Sequence, residues 1–232
     1  MATFLFIRIS PGILPIPSFI SLNFVYFCII ISMIFNNYTE FNLAKEQCKS
    51  CEIGKIYNRV VLSDGNTMNP NVMVVGEAAG SSEVEVGKPF VGKAGKLLRA
   101  TLNEFGFRKS NSLITNVIPC RPQDNKFPMD NQLILNCFNK WLRQEIIITK
   151  PKFILLIGAK SVKYILNMNG ITKIRGKFVE HEIEGLKIMC MPTLHPSYVL
   201  RKEYMEEGKI IKQQFRDDIK KVAIASGLIE EK

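Results

Sequence analysis

Three polar residues whose side chains can do chemistry lie at the ends of apolar runs in the sequence. Glu77 and His195 each come just after such a run, and Asn116 is embedded near the end of another. A carboxylate, an amide and an imidazole are suited to proton transfer or to hydrogen-bonded recognition of a ligand. Because ligands of parallel α/β sheets bind beyond the carboxyl ends of the strands, we expect these three side chains to form one site.

Two of these residues, His195 and Asn116, also have a purely structural explanation. A lone histidine in a loop is usually structural or solvated, although the proline that follows His195 makes its loop rigid and favours a functional role. Asn116 needs a partner for its amide if it is buried, and a backbone contact would serve as well as a ligand. His181 lies in a predicted hairpin and is expected at the surface.

A glycine-rich segment follows Glu77 and extends to Leu98. It contains Gly80, Gly87, Gly92 and Gly95, and Gly76 precedes it. Glycines at this density let the backbone approach a ligand or another segment closely. The segment has neither the dinucleotide spacing Gly-x-Gly-x-x-Gly nor the Gly-Lys-Ser/Thr of a phosphate loop, so a tight strand-to-helix turn explains it equally well. Phe90, inside the segment, is either a core residue or a flat face for a ligand.

Four of the six cysteines have spacings that suggest metal binding. They occur as Cys48-x2-Cys51 and as Cys120-x16-Cys137, and either a zinc ion or an iron–sulfur cluster is compatible with such a thiolate set. The Cys48/Cys51 pair has mostly polar neighbours, which favours a ligand role. Cys137 falls on the apolar stripe of a predicted helix, so a small core residue is the alternative for that position.

The apolar pattern predicts strands and helices in alternation. Strands are expected over 72–75, 113–118, 153–157 and 186–191, the last delivered by a hairpin whose first arm covers 178–183. Helices follow from apolar residues three and four positions apart around 91–105, 130–142, 162–166 and 211–222. A strand–helix order repeated four times predicts an α/β fold with a mainly parallel sheet that is covered on both faces.

The charge balance favours a polyanionic partner. Lys and Arg number 31 against 21 Asp and Glu, which gives a formal charge of +10 and a pI near 9.3. Nucleic acid fits this excess better than an anionic membrane, and a protein that is basic without any such partner is the alternative. With 232 residues the chain can bury a sizeable core, so it needs no disulfide scaffold.

Residues 1–35 form an apolar N-terminal extension unlike the rest of the chain, and 36–232 read as one domain. No charge occurs from Ser18 to Phe35, and eighteen such residues are just long enough for a membrane helix. Three explanations remain open: translation that starts at Met33, a membrane anchor, or a cleaved signal. Localisation in the cytoplasm at the nucleoid is expected, and contact with a membrane only if the extension is real and inserted.

Taken together, these motifs resemble the family 4 uracil-DNA glycosylases, iron–sulfur enzymes of archaea and thermophilic bacteria. The resemblance covers about residues 40–225. It rests on the four cysteines and on five motifs in order, namely Gly76-Glu77-Ala78-Ala79-Gly80, Gly87-Lys88-Pro89-Phe90-Val91-Gly92, Asn116-Val117-Ile118-Pro119-Cys120-Arg121-Pro122, Leu156-Ile157-Gly158 and His195-Pro196-Ser197. The family usually has proline where Ala79 stands, a departure expected to loosen this loop without removing a reactive group.

The resemblance implies a three-layer α/β/α sandwich with a four-stranded, mainly parallel sheet. It implies hydrolysis of the bond between uracil and deoxyribose in DNA, which leaves an abasic site. It also implies a structural 4Fe-4S cluster with Cys48, Cys51, Cys120 and Cys137 as ligands. No lysine in the motifs is placed to form a Schiff base, so a monofunctional glycosylase is expected.

The roles that the resemblance implies can be matched to residues. A flipped uracil would stack on Phe90, have its edge read by Asn116 and contact the backbone near Ala78. His195 would stabilise the negative charge on the departing base. Glu77, or alternatively Glu83, would position water or stabilise a positively charged sugar.

The segment that follows His195 is expected to press into a DNA groove. Pro196, Ser197 and Arg201 would contact the strand, and Val199 or Leu200 would act as the wedge. The partner is uracil-containing DNA, double- or single-stranded, and a monomer is expected that could also bind a sliding clamp. A non-catalytic iron–sulfur DNA-binding protein and a glycosylase with another base preference are the alternatives.

Overall fold

The computed structural model describes Phe35 and residues 37–56 and 59–231. Six strands of this part of the chain form one mixed sheet. They are β1 (Asp64–Gly65), β2 (Val72–Ala78), β3 (Ser112–Ile118), β4 (Phe153–Ile157), β5 (Val179–Ile183) and β6 (Leu186–Thr193). Their order across the sheet is β1-β3-β2-β4-β6-β5.

The four inner strands are parallel, and the two edge strands pair antiparallel to their neighbours. The predicted α/β sandwich is therefore confirmed, but the sheet has six strands rather than four. One additional strand, β1, is only two residues long and is defined by pairing of Asp64 and Gly65 with β3, where the sequence indicates just a turn. The other, β5, is the first arm of the predicted hairpin.

The helices of the described residues account for the other two layers. They are α1 (Tyr38–Glu46), α2 (Glu52–Ile56), α3 (Ser81–Val86), α4 (Lys93–Glu104), α5 (Asn131–Cys137), α6 (Arg143–Thr149), α7 (Ala159–Leu166), α8 (Ile171–Ile174), α9 (Pro196–Lys202) and α10 (Gly208–Ala225). A π-helical turn, Phe138–Leu142, joins α5 to α6. Asp130 caps α5 by accepting hydrogen bonds from the amides of Gln132 and Leu133.

Side chains of the inner strands alternate between two apolar layers. In β2, Met73 and Val75 belong to the layer that contains residues of α5, α6 and α7. Val72 and Val74 belong to the opposite layer, with residues of α4, α9 and α10. Because both faces of the sheet are covered, its inner strands are apolar at almost every position, and polar residues of β2 appear only at its carboxyl end.

A buried ion pair ties α1 to the body of the domain. The Lys45 ammonium lies 2.8 Å from Glu145, and both side chains are at most 1% exposed. The Glu145 carboxylate also accepts hydrogen bonds from Tyr38, Ser63 and Thr115. Burial opposes ionisation of Glu145, but Lys45 and the hydroxyl donors together hold its pKa below the ordinary value.

The predicted extension 1–35 lies outside the described residues except for Phe35. The Phe35 ring stacks on Trp141 at 6.4 Å and meets Phe41 edge-on at 5.3 Å. In the part of the chain that the structure describes, no helix is both long and apolar enough to cross a membrane.

Candidate active site

The carboxyl ends of β2 and β3, the loop before α4 and the loop after β6 enclose a pocket of about 210 Å³. Ala78, Glu83, Phe90, Asn116 and His195 are among the residues that line it. Five of the six residues predicted to act on or contact the base thus lie around one cavity. Its volume is below the range for drug-sized ligands and suits a single small ring system.

Asn116 and the Phe90 ring meet above Gly76. The Cα atoms of Gly76 and Asn116 are partners in the β2–β3 pairing. A Cβ at position 76 would overlap both the Asn116 Oδ1 atom and the Phe90 ring, so only glycine leaves room for this arrangement. Asn116 is 4% exposed and Phe90 is 7% exposed, which places an amide and an aromatic face together at the inner end of the pocket.

His195 is held as a neutral imidazole with a defined tautomer. It caps α9, because its Nδ1 atom accepts a hydrogen bond of 3.2 Å from the amide of Ser197. The Ser197 hydroxyl lies 2.7 Å from the same nitrogen. Since Nδ1 accepts, the proton of the neutral ring is on Nε2, which is left as a donor.

Burial and charge keep the His195 ring neutral. Burial first, and then the positive charge of Arg201, lower the pKa of His195 to about 4, against an opposing effect of Glu83. The ring lies 6.4 Å from the Phe90 ring, centroid to centroid. A neutral N–H donor next to an aromatic face can stabilise charge that develops on a stacked ring.

Glu77 and His195 both line an adjoining cavity of about 450 Å³. Gly158 separates the two side chains: a Cβ there would lie 2.5 Å from Glu77 Oε1 and 3.1 Å from His195 Cβ, and its φ of +95° is a conformation that glycine allows. The amide of Lys160, at the start of α7, donates to Glu77 Oε1 over 3.2 Å. Burial raises the pKa of Glu77, although this hydrogen bond and the charges of Lys160 and Arg201 oppose the increase.

The carboxylate of Glu83, the alternative to Glu77, is hydrogen-bonded to the backbone. Its Oε1 atom accepts hydrogen bonds from the amides of Val91 and Gly92, at 3.0 and 3.1 Å. These are amides at the N-terminus of α4, which Gly92 caps without a side chain of its own. Glu83 therefore satisfies donors that the helix leaves unpaired and supports the segment that carries Phe90.

Ala79, the position at which the resemblance led us to expect proline, is hydrogen-bonded to the sheet. Its amide donates to the carbonyl of Ile118 over 3.3 Å, and its side chain is 2% exposed. Proline has no N–H and could not make this bond. The hydrogen bond thus restrains the loop that the substitution was expected to loosen.

The segment expected to contact DNA forms α9, and only part of it reaches the surface. Pro196 and Val199 are buried, with Val199 in the apolar layer beside α4 and α10. Val199 therefore cannot act as the wedge, because its side chain is already packed in the core. Leu200 is partly exposed and Arg201 exposed, and Arg201 donates to the Ser197 hydroxyl over 3.3 Å.

The four cysteines come together at the end of the sheet's other apolar layer. All four contact that layer, and Cys48, Cys51 and Cys137 line a cavity of about 350 Å³. Burial raises the pKa of Cys137, and the charges of the other three cysteines raise it further, which reflects their mutual proximity.

This cysteine group fits a multi-iron centre in its donor type. The Trp141 indole donates to Cys48 Sγ over 3.2 Å, which is the kind of hydrogen bond that cluster sulfurs accept. Within the described ranges, no group of three or more His, Cys, Asp or Glu side chains is arranged to hold a single metal ion.

Two features of the site were not predicted from the sequence. Asn125 and Phe127, which follow β3, line the second cavity opposite Ser197. Arg99 of α4 binds the backbone beside Phe90. No local pattern marks these residues, because Asn125 and Phe127 lie in a segment between β3 and α5 and Arg99 is one of several basic residues on α4.

A family model described as the uracil DNA glycosylase superfamily matches residues 62–220 of the chain. This range contains the six strands of the sheet and every residue that lines the cavities of about 210 and 450 Å³. The part of the chain that forms the sheet thus belongs to this superfamily.

Several curated proteins are similar over most of their length. A type-4 uracil-DNA glycosylase of Saccharolobus solfataricus is 36% identical over 176 residues, which is 73% of this chain and 79% of the relative. Others from Pyrobaculum aerophilum and Sulfurisphaera tokodaii are 37% and 34% identical, over 68% and 76% of this chain and 81% and 80% of their own length. The chain belongs to the type-4 uracil-DNA glycosylase family.

Proposed function

We propose that this protein is a DNA repair glycosylase that flips uracil out of DNA and hydrolyses its bond to deoxyribose, leaving an abasic site. The observation that carries the proposal is the grouping of the Asn116 amide, the Phe90 ring and the His195 imidazole around a pocket of about 210 Å³. Family membership supports it, since the relatives are named uracil-DNA glycosylases.

The pocket suits recognition of a uracil ring that has left the duplex. The base must leave the stack because its sugar bond cannot be reached inside a duplex. The Phe90 ring offers a face for stacking, and Asn116 can accept from uracil N3–H and donate to O4. Cytosine has an amino group where uracil has O4, so the same amide would meet a donor with a donor.

His195 would act on the base and Glu77 on the sugar, the two groups that the breaking bond joins. Cleavage leaves negative charge on the uracil ring, and the Nε2–H of neutral His195 would stabilise this charge by donating to O2. Glu77 lies across Gly158 from His195, on the side of the second cavity. From there its carboxylate would position the attacking water or stabilise positive charge on the sugar, a role for which Glu83 is less free.

DNA would bind across the face that carries α9. Arg201 is exposed and can contact a phosphate, Leu200 is the wedge candidate at the surface, and Ser197 lines the second cavity. The excess of ten positive charges favours this binding without sequence preference.

We further propose that Cys48, Cys51, Cys120 and Cys137 hold a 4Fe-4S cluster. Their shared layer, the cavity between them and the Trp141 hydrogen bond support this assignment. A cluster there would fasten the segment 48–51 to α5 and to the end of β3. It would have no part in release of the base, because the cysteines belong to the apolar layer on the other side of the sheet from Phe90.

The test is incubation of the full chain with an end-labelled duplex that contains one uracil, followed by alkaline cleavage. Strand breakage at the uracil position is expected with both U·G and U·A pairs, and none is expected with a duplex that has thymine at that position. Binding to both duplexes without breakage would instead establish a non-catalytic DNA-binding protein. Breakage only at another damaged base would establish a different base preference.

A further inference from the structure

Phe90 has an unusual backbone conformation for an aromatic residue. Its φ is +54°, in the left-handed region, which is sterically unfavourable for an L-residue with a side chain. Such a conformation persists only where neighbouring groups over-determine it, and it is common at ligand sites. The orientation of the Phe90 ring therefore depends on whatever holds this part of the backbone.

Arg99 holds the carbonyl groups of this segment. Its Nε atom donates to the Phe90 carbonyl over 3.0 Å, and its Nη2 atom donates to the Pro89 carbonyl over 2.6 Å. The guanidinium is itself fixed by Asp64 of β1, which accepts from Nη2 over 2.9 Å. One planar side chain thus connects the sheet edge to two successive carbonyls of the strained segment.

Glu83 and helix α4 also hold the backbone around Phe90 in place. Glu83 accepts from the two amides that follow Phe90. Helix α4 packs directly on the Phe90 backbone, because a Cβ at Gly95 would overlap it. The two hydrogen bonds from Arg99 come from a side chain that does not line the pocket. Arg99 can therefore be replaced without changing a residue of the cavity surface.

We propose that Arg99 is a positioning residue that sets the Phe90 ring in the orientation needed to stack on the extracted base. This role rests on the proposed function of the pocket. The fork geometry of a guanidinium is required, because two carbonyls and one carboxylate are bound at once by groups in a single plane. Lysine at this position would keep the charge but could not make the same set of bonds.

The experiment compares Arg99→Met with Arg108→Met as a matched control. Arg108 also donates to two backbone carbonyls, those of Asn103 and Phe107, but neither belongs to the Phe90 segment. The single-turnover rate of uracil excision is measured, together with the inhibition constant of free uracil and the affinity for a uracil-free duplex. Free uracil reports on the base pocket alone, whereas the duplex reports on the DNA-binding face.

For Arg99→Met we expect excision about tenfold slower, which corresponds to about 1.4 kcal/mol. The inhibition constant of free uracil should rise by a similar factor, and the affinity for the uracil-free duplex should stay within about twofold. Arg108→Met should leave all three quantities within about twofold of the wild type. If Arg99→Met folds poorly, Arg99→Lys serves in its place and should give a smaller change in the same two quantities.

A double-mutant cycle with Phe90→Leu separates positioning from general stabilisation. If Arg99 acts through the ring, Arg99→Met should slow excision by less than about twofold once Phe90 is leucine. A further tenfold loss in that background would overturn the proposal, as would a wild-type inhibition constant for free uracil in the Arg99 variants. A wild-type chain that leaves uracil in DNA refutes the proposed function itself, whereas an active wild type with an equally active Arg99→Met refutes only the role of Arg99.

Discussion

Replacement of His195 by alanine should reduce uracil excision by on the order of 10²- to 10³-fold. The structure supplies the reason, because the Nε2–H of His195 is the donor that this ring presents beside Phe90 once Nδ1 is occupied by Ser197. Loss of one preorganised donor to a developing negative charge costs about 3–4 kcal/mol in comparable sites. His195→Gln keeps a neutral N–H and should recover part of this loss.

The pH dependence of excision distinguishes a neutral donor from a charged one. With the pKa of His195 at about 4, the His195 ring is protonated in about 1% of molecules at pH 6 and in about 0.1% at pH 7. The excision rate, measured by single turnover from pH 5 to 8.5, should therefore rise as the carboxylate of Glu77 ionises and then stay level. A rate that declines as the pH increases from 6 to 8 would refute the reasoning, because it would identify the imidazolium as the active form.

The lowered pKa of His195 also makes the free energy of unfolding depend on pH, and this dependence can be measured separately. The folded pKa of His195 lies below the unfolded value of about 6.5, so the unfolded chain binds this proton more readily. Its contribution to stability is complete above pH 6.5 and is lost as the pH falls towards 4, by up to about 3 kcal/mol. The unfolding midpoint of His195→Ala should lack this part of the pH dependence, and equal dependence in both proteins would contradict the assigned shift.

Three further outcomes are expected. Asn116→Ala should lower excision by on the order of 10²-fold with little change in affinity for uracil-free DNA, and a near-normal single-turnover rate would exclude its role in recognition. Cys48→Ala or Cys137→Ala should lose iron, measured by elemental analysis and by absorbance near 400 nm, and full iron retention in either would rule out the ligand set. Leu200→Ala should weaken DNA binding without lowering the unfolding midpoint. Val199→Ala should instead lower the free energy of unfolding by about 1–3 kcal/mol, because its side chain is in the core. Weaker DNA binding by Val199→Ala, with the unfolding midpoint unchanged, would identify Val199 as the wedge.

The inner strands could be predicted from the sequence because burial on both faces leaves an unmistakable apolar run. The runs before Glu77 and around Asn116 end where the observed strands end, within a few residues. The edge strand β1 could not be predicted, since two residues carry no periodicity and its definition depends on pairing with β3. Edge strands depend on tertiary pairing more than on local composition.

The proximity of Asn116 and His195 could likewise be anticipated, because the carboxyl ends of parallel strands lie at one edge of the sheet. The position of Phe90 beside them was implied only by the family resemblance. The contacts that each neighbouring residue makes at this site could not be predicted from the sequence. The commitment of Glu83 to two amides and the burial of Val199 both follow from where α3 and α9 pack. Helical periodicity does not tell which of two adjacent apolar residues, such as Val199 and Leu200, turns inward when a helix is only seven residues long.

The Lys45–Glu145 pair determines how short an active fragment of this protein can be. A chain that begins at Gln47 would retain all four of the grouped cysteines and every residue of the two cavities. It would nevertheless lose the Lys45 ammonium and the Tyr38 hydroxyl that pair with the Glu145 carboxylate. Loss of one partner from a buried ion pair costs about 3–5 kcal/mol where the other stays buried, which is a large share of the stability of an ordinary domain. The helix that precedes the first cysteine thus belongs to the minimal folding unit even though it contributes nothing to the pocket.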